Sequence, residues 1–208
     1  EIGAGIQSAG ETVLIRWEEA LTYRVIGSGA DEATLEAIAA YTERLSRVTG
    51  LEIRELGPGE GRPRLLIFVE RLSVLSPLLR ELRDRSRGRE GMDRIIEFLA
   101  NPVPLSPCYG QVSARDGRLD EALILIRAET AGRFRQTCIE EEIAQILGLI
   151  NDDPAVRPSI FNDDQEFALL TAHDEALLRI HYDPRLRPGM TREAVRLRLD
   201  AIVREVAE

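Results

Sequence analysis

Residues 137–152 read TCIEEEIAQILGLIND, a stretch in which apolar and polar residues recur with the period of a helix. The apolar residues fall on one side and predict a helix over residues 137–149. Glu141, Glu142 and Gln145 share another side, because residues three and four apart are neighbours on a helix surface. Taken alone, a run of glutamates in the N-terminal half of a helix is also what the helix dipole favours. The polar stripe is therefore either a candidate site or an ordinary charged helix face.

The spacing within this stretch is that of a zinc-peptidase motif. In HExxH, two histidines at i and i+4 bind zinc and the intervening glutamate activates water. The sequence EEIAQILGLIND resembles the extended motif HExxHxLGLxHD of the zincin fold. The resemblance assigns Glu141, Gln145 and Asn151 to the three metal-ligand positions and Glu142 to the position of the general base.

Two further motifs follow in the order found in zincins. Residues 159–162 read SIFN and resemble the SIMN of the methionine turn beneath such zinc sites, with Phe161 in place of methionine. Residues 170–186, LTAHDEALLRIHYDPRL, are similar to the segment that closes many bacterial zincin domains. The combination of Cys138, EExxQxLGLxND and YDPRLRPGM resembles a bacterial family, domain of unknown function 2927. That family is grouped with the zinc peptidases and is often carried by exported proteins or lipoproteins.

The resemblance implies an α+β fold with a single zincin-like domain over residues 1–208. In that fold a twisted mixed sheet supports an active-site helix, and further helices pack around it. The motif-bearing half runs from about residue 108 to residue 190, whereas the first hundred residues match only loosely. The edge strand beside the cleft would bind an extended peptide in an active relative.

Periodicity and turn signals predict the other elements. Helical spacing is found in residues 31–48, on both sides of Gly88 and Gly91 within 73–100, in 171–182 and in 191–206. Strand-like runs are found in residues 12–26, as two segments separated by a kink, and in 51–55 and 64–69. Asp116-Gly117 predicts a hairpin turn between two alternating runs. Trp17 and Tyr23 are expected in the core.

The residues at the ligand positions suit zinc poorly, because zinc prefers imidazole or thiolate to carboxylate and amide oxygens. Zinc is therefore not expected, and no other cofactor is predicted. Calcium, a harder cation, is the open alternative, since Asp152, Asp153 and Asp163 offer further oxygens in the neighbouring loop. We favour the competing interpretation that these Asn-Asp runs form turns. His173 and His181 lie too far apart along a helix to share a metal, and we expect structural or surface roles for them.

Cys108 and Cys138 belong to no CxxC or Cys/His cluster, so they form either one disulfide or two free thiols. We expect the disulfide, in part because of the resemblance. A structural disulfide indicates an oxidising compartment, such as the periplasm or the cell surface. The expected location is therefore extracytoplasmic, with a signal peptide already removed.

The net charge of the chain limits the classes of partner that we expect it to bind. The sequence of 208 residues has 36 acidic and 27 basic side chains, a net charge of -9, which is opposite in sign to the electrostatic footprint of nucleic-acid binders. Every basic residue other than histidine is arginine, which excludes P-loop and Schiff-base lysines. No apolar run is long enough to span a bilayer. The expected partners are an extended peptide or an envelope protein, and not a nucleic acid.

Three functional hypotheses follow. The favoured one is an extracytoplasmic pseudo-peptidase that has lost the zinc-binding histidines and has a binding or envelope role. The second is a metal-dependent hydrolase with Glu141, Gln145 and Asn151 as ligands and Glu142 as base. The third is a purely structural domain. The sequence is compatible with both a catalytic and a non-catalytic protein, and we prefer the non-catalytic interpretation.

Overall fold

The structure is a computed structural model that describes residues 13–74, 77, 107–162 and 169–207. Its elements, in chain order, are β1 (Leu21–Ile26), α1 (Glu32–Thr49), β2 (Ile53–Glu55), β3 (Leu65–Glu70), β4 (Cys108–Arg115), β5 (Arg118–Arg127), α2 (Arg133–Gln145), α3 (Ala172–His181) and α4 (Arg192–Ala207). Most of the region 73–100, where helices were predicted, lies outside the described residues, as does Asp163.

Within the described residues, the sheet has five strands in the order β2-β1-β3-β5-β4. All neighbouring strands are parallel except β4, which pairs antiparallel with β5 and forms one edge of the sheet. In β3 every second residue is buried, and β5 is buried continuously over its last four residues, 124–127. The expectation of a mixed sheet with packed helices is therefore confirmed, and the structure is a mixed α/β arrangement.

Helix α1 begins and ends where capping residues predict. The Asp31 side chain accepts a hydrogen bond from Thr34 N at 2.9 Å and so satisfies a free amide of the first turn. Gly50 follows the helix with φ 71°, and its N–H donates to Ser46 O. The helix packs against α2 and α3. The hairpin at Asp116-Gly117 is also confirmed, because it joins β4 to β5.

The prediction of two strands within residues 12–26 was half wrong. Only β1 joins the sheet, and the preceding segment forms isolated bridges from Val13 to Thr191 and from Arg16 to Arg118. The reason is tertiary packing: Trp17 is buried and its indole N–H donates to Ile146 O at 2.8 Å. This segment therefore contacts the end of α2 as well as the β4–β5 hairpin, and it does not extend the sheet.

The motif helix also differs from its prediction, since α2 starts at Arg133 and ends at Gln145 instead of spanning residues 137–149. At the C-terminal end the chain adopts the tighter 3₁₀ pattern, because Leu147 N donates to Ala144 O and Gly148 N donates to Gln145 O, each three residues earlier. Gly148 has φ 119°, and a β-carbon there would overlap Ile15 O and the His181 ring. Glycine is therefore required where the chain leaves the helix.

The predicted disulfide is confirmed. Cys108 on β4 is bonded to Cys138 on α2, with a Cα–Cα distance of 5.7 Å, and both residues are buried. The bond fixes the N-terminal half of α2 to the edge strand. Among the described residues, no helix has both the length and the apolar character needed to cross a bilayer.

Removing the disulfide by Cys108→Ala with Cys138→Ala is expected to lower the free energy of unfolding by about 3 kcal/mol, because the unfolded chain loses a crosslink over residues 108–138. Denaturant unfolding of the variant and of the wild type, with and without reductant, measures this. Reductant should destabilise only the wild type. Equal stability of wild type and variant without reductant would contradict the expectation.

Candidate functional site

Helix α2 lies along the edge strand β4, and residues one turn apart make the contacts. Cys138 bonds to Cys108, and the side chains of Glu142 and Ile146 lie against Gly110. A β-carbon at Gly110 would overlap Glu142 Oε2. The absence of a side chain at Gly110 therefore lets the Glu142 carboxyl reach the strand backbone.

Glu142 is buried without a partner. The residue is 7% exposed, and its carboxyl makes no hydrogen bond or ion pair with any residue that the structure describes. Burial raises its pKa to about 8, with smaller contributions from the negative charges of Glu141 and Asp152. At neutral pH the group is therefore mostly protonated and uncharged.

The three residues at the ligand positions differ in their surroundings. Glu141 is half-buried, and Gln145 donates through Nε2 to Asp152 Oδ1 at 2.9 Å. Asn151 is exposed in the loop after α2. Because two of these side chains are amides and the third is a carboxylate, the donor set does not fit zinc. In the described part of the chain, no group of three or more His, Cys, Asp or Glu side chains is arranged to hold a metal ion.

Asp153, a candidate calcium ligand, shapes the loop after α2. Its carboxylate accepts a hydrogen bond from Ala155 N at 2.9 Å, which lowers its pKa, and its own N–H donates to Phe161 O at 2.9 Å. Its carbonyl accepts from Val156 N at 3.0 Å. These hydrogen bonds are those of a residue that stabilises a turn.

The SIFN turn is held by helix α3. Ser159 Oγ and Ile160 N both donate to the Asp174 carboxylate, and Thr171 N donates to it as well. Phe161, at the methionine position, is buried in the main hydrophobic core. The sequence did not single out Asp174, although Thr171 and Asp174 form a capping box, whose T-x-x-D spacing is visible in the chain.

Glu140 is a second residue that sequence reasoning missed. Its carboxylate accepts from Leu170 N at 2.9 Å and from Gln136 Nε2 at 3.1 Å. Its carbonyl accepts from the Tyr41 hydroxyl at 2.8 Å. Glu140 and Glu142 are equally buried on the same helix, but only Glu140 has donors around its carboxylate. Glu140 is therefore a structural residue.

The histidines have separate structural partners. His181 is fully enclosed, and its Nε2 lies 2.9 Å from Ile15 O, so this nitrogen carries the hydrogen. Burial lowers the pKa of His181 to about 4, so that the ring is neutral at pH 7. His173 Nδ1 lies 3.1 Å from Pro158 O. These contacts fit the expected structural roles.

A separate polar cleft of about 630 Å³ is lined by residues that include Arg16, Arg64 and Arg118. Arg64 is paired with Glu19, and Arg118 is paired with Glu18 at 2.9 Å. Arg16 donates to the carbonyls of His181 and Asp183. Because these cations already have acceptors, the cleft is a weaker candidate for anion binding than its arginines suggest.

Two comparisons with known proteins bear on the identity of the chain. A search of curated protein sequences found none that matches it. The family described as "Protein of unknown function (DUF2927)" matches residues 2–201, nearly the whole chain. The motif helix, the SIFN turn and helix α3 all lie within that range, and the chain belongs to this family of unknown function.

Proposed function

We propose that the chain is an extracytoplasmic, zincin-like pseudo-peptidase domain that binds an extended peptide by strand addition to the edge strand β4. The observation that carries the proposal is the position of β4: it ends the sheet, runs antiparallel to its neighbour and lies beside the motif helix α2. Strand addition uses backbone hydrogen bonds and needs no metal. Such a site can therefore bind a peptide without the zinc ligands.

The hydrogen-bond pattern of β4 supports a site at this edge. Arg127 N donates to Pro107 O, and hydrogen-bonded pairs alternate with non-bonded pairs along an antiparallel ladder. The residues of β4 that form hydrogen bonds with β5 are therefore Tyr109, Gln111 and Ser113. The N–H and C=O groups of Gly110 and Val112 then point away from β5. Within the described residues these groups have no partner, which is the condition for pairing with an added strand.

The disulfide and the motifs support the rest of the proposal. A buried crosslink between β4 and α2 is typical of proteins that fold in an oxidising compartment, which favours an extracytoplasmic location and a partner in the envelope. The order of the EExxQ helix, the SIFN turn and the closing helix favours descent from a zincin. The oxygen donors at the ligand positions favour loss of zinc-dependent catalysis.

Amide hydrogen exchange of the wild-type protein tests the proposal directly. The probe is a capped peptide of alternating valine and threonine, added at millimolar concentration. We expect the amides of Gly110 and Val112 to gain protection, because they would pair with the added strand, whereas the already paired amide of Gln111 should change little. Protection that is absent at all three positions, or equal at all three, would contradict strand addition at this edge.

A matched pair of variants provides a second test. Val112→Pro removes the outward N–H without removing a bond to β5, and proline is tolerated where an edge strand faces outward. Val112→Ala trims the same side chain and keeps the N–H. Calorimetric titration with the same peptide should show weaker binding to Val112→Pro than to Val112→Ala by about tenfold, the effect of losing a hydrogen bond worth about 1.4 kcal/mol.

The hydrolase remains the second candidate because a glutamate with a strongly raised pKa, here beside the edge strand β4, is typical of acid-base sites. Plasma mass spectrometry of protein purified without chelator decides between the two. About one equivalent of zinc or calcium per chain would favour the hydrolase, with Glu142→Gln then expected to abolish peptide cleavage. A metal-free protein that binds the peptide would favour the pseudo-peptidase. A metal-free protein that binds no peptide would favour the structural domain.

A further inference from the structure

We propose that the peptide bound at β4 carries a lysine or arginine side chain, which enters beside Gly110 and pairs with the Glu142 carboxylate. This inference rests on the proposed strand addition and specifies the class of peptide. The same edge would otherwise accept any extended sequence, because backbone hydrogen bonds alone do not distinguish side chains.

The first observation is that Glu142 lacks the partners that other buried acids of the described region have. Glu140 accepts hydrogen bonds from Leu170 N and from Gln136. Asp174 accepts from Ser159, Ile160 and Thr171. Glu142 is as buried as Glu140, yet its carboxyl has no donor within the described part of the chain. A buried carboxyl without a donor costs free energy that a cationic ligand group would recover.

The second observation is the sign of the charges around Glu142. Glu141 on the same helix and Asp152 in the following loop both act on it electrostatically, and both are acidic. The strand packed against Glu142 presents Gly110 and Val112, which are not titratable. No cation acts on Glu142 from the residues described. The surroundings therefore favour a positive ligand group and disfavour a negative one.

The third observation is geometric. Residues directly opposite each other on paired strands point their side chains to the same face of the sheet. The side chain opposite Gly110 on an added strand would therefore point to the face where α2 lies. Because Gly110 has no side chain, the Glu142 carboxyl lies directly against the backbone of β4 at this position. A long aliphatic stem with a terminal charge fits this approach, since lysine and arginine bury the stem and direct the charge to an acceptor.

Calorimetric titration with two capped peptides tests the inference. One carries a single central lysine among alternating valine and threonine, and the other carries norleucine at that position. At pH 8 and low salt we expect the lysine peptide to bind at least about tenfold more tightly, as close charge pairs at interfaces do. In Glu142→Gln the two peptides should bind within about twofold of each other, and in the control Glu140→Gln the lysine preference should persist.

The outcomes separate the inference from the proposed function. Equal binding of both peptides to the wild type would overturn the basic-side-chain inference and leave strand addition intact. A lysine preference that survives in Glu142→Gln would assign the preference to another acid and would also overturn the inference. Failure of both peptides to bind would overturn strand addition, and the inference with it.

Discussion

Glu142→Gln is expected to raise the free energy of unfolding by about 3 kcal/mol at pH 7 and by about 5 kcal/mol at pH 9. The carboxyl of the wild type has a pKa of about 8 in the folded protein and 4.5 as its ordinary value. Because the folded pKa is the higher one, the wild type is most stable below pH 4.5 with respect to this group. It loses that stability as the pH rises to 8. Glutamine has nearly the same shape and does not ionise, so it removes the loss.

The pH profile distinguishes this effect from a general stabilisation. His181 has a folded pKa of about 4 against an ordinary value of 6.5, so the protein loses stability through this group as the pH falls from 6.5 to 4. In the wild type, the loss of stability through Glu142 and the gain through His181 cancel as the pH rises from about 4.5 to about 6.5. The free energy of unfolding is therefore nearly constant over this interval. In Glu142→Gln we expect stability to rise through that interval and to stay level up to pH 9. Urea unfolding at half-unit steps of pH measures both curves.

Glu140→Gln is the matched control, since it changes an equally buried acid two residues earlier on the same helix. Its carboxylate accepts from Leu170 N and Gln136, so the substitution weakens a charge-assisted hydrogen bond and should destabilise by about 1 kcal/mol. Two results would count against the account of Glu142. One is a stabilisation of Glu140→Gln equal to that of Glu142→Gln, and the other is a wild-type profile without loss between pH 6.5 and pH 8.

The contrast between these two glutamates marks a limit of sequence reasoning. The helical period placed both on the motif helix, and the resemblance selected Glu142. The surroundings of the two carboxyl groups differ because of residues elsewhere in the chain. Leu170 supplies a hydrogen-bond donor to Glu140, and Gly110 lets Glu142 reach the edge strand. Contacts between residues about thirty positions apart have no local signature, so the sequence could not predict which glutamate would be unpartnered.

The elements that the sequence predicted well have local causes. Asp31 and Gly50 bound α1 through capping, and Asp116-Gly117 turns the β4–β5 hairpin, because these residues favour the required backbone angles wherever they occur. The segment before β1 was misassigned as a strand for the opposite reason. Its β-branched and aromatic residues suit a strand, but Trp17 is used to close the core against Ile146 at the end of α2. Tertiary burial overrode local propensity there.

Asp174→Ala is expected to lower the free energy of unfolding by about 4 kcal/mol, because it leaves several buried donors without an acceptor. The Asp174 side chain is fully buried and accepts from Ser159 Oγ, Ile160 N and Thr171 N. The loss should be concentrated in the SIFN turn, where the amides of Ile160 and Phe161 are expected to exchange faster. Thermal or urea unfolding together with amide hydrogen exchange measures both effects.

Two substitutions control this prediction. Asp174→Asn keeps one oxygen for the two amides and can donate to Ser159, so it should cost about half as much as alanine. Glu193→Ala removes an exposed acid from the first turn of α4 and should change stability by less than about 0.5 kcal/mol. If Asp174→Ala were as mild as Glu193→Ala, the hydrogen bonds to Asp174 would not hold the turn. A large, local loss would instead mean that α3 positions the loop carrying Asp152 and Asp153, since Asp153 N donates to Phe161 O of the same turn.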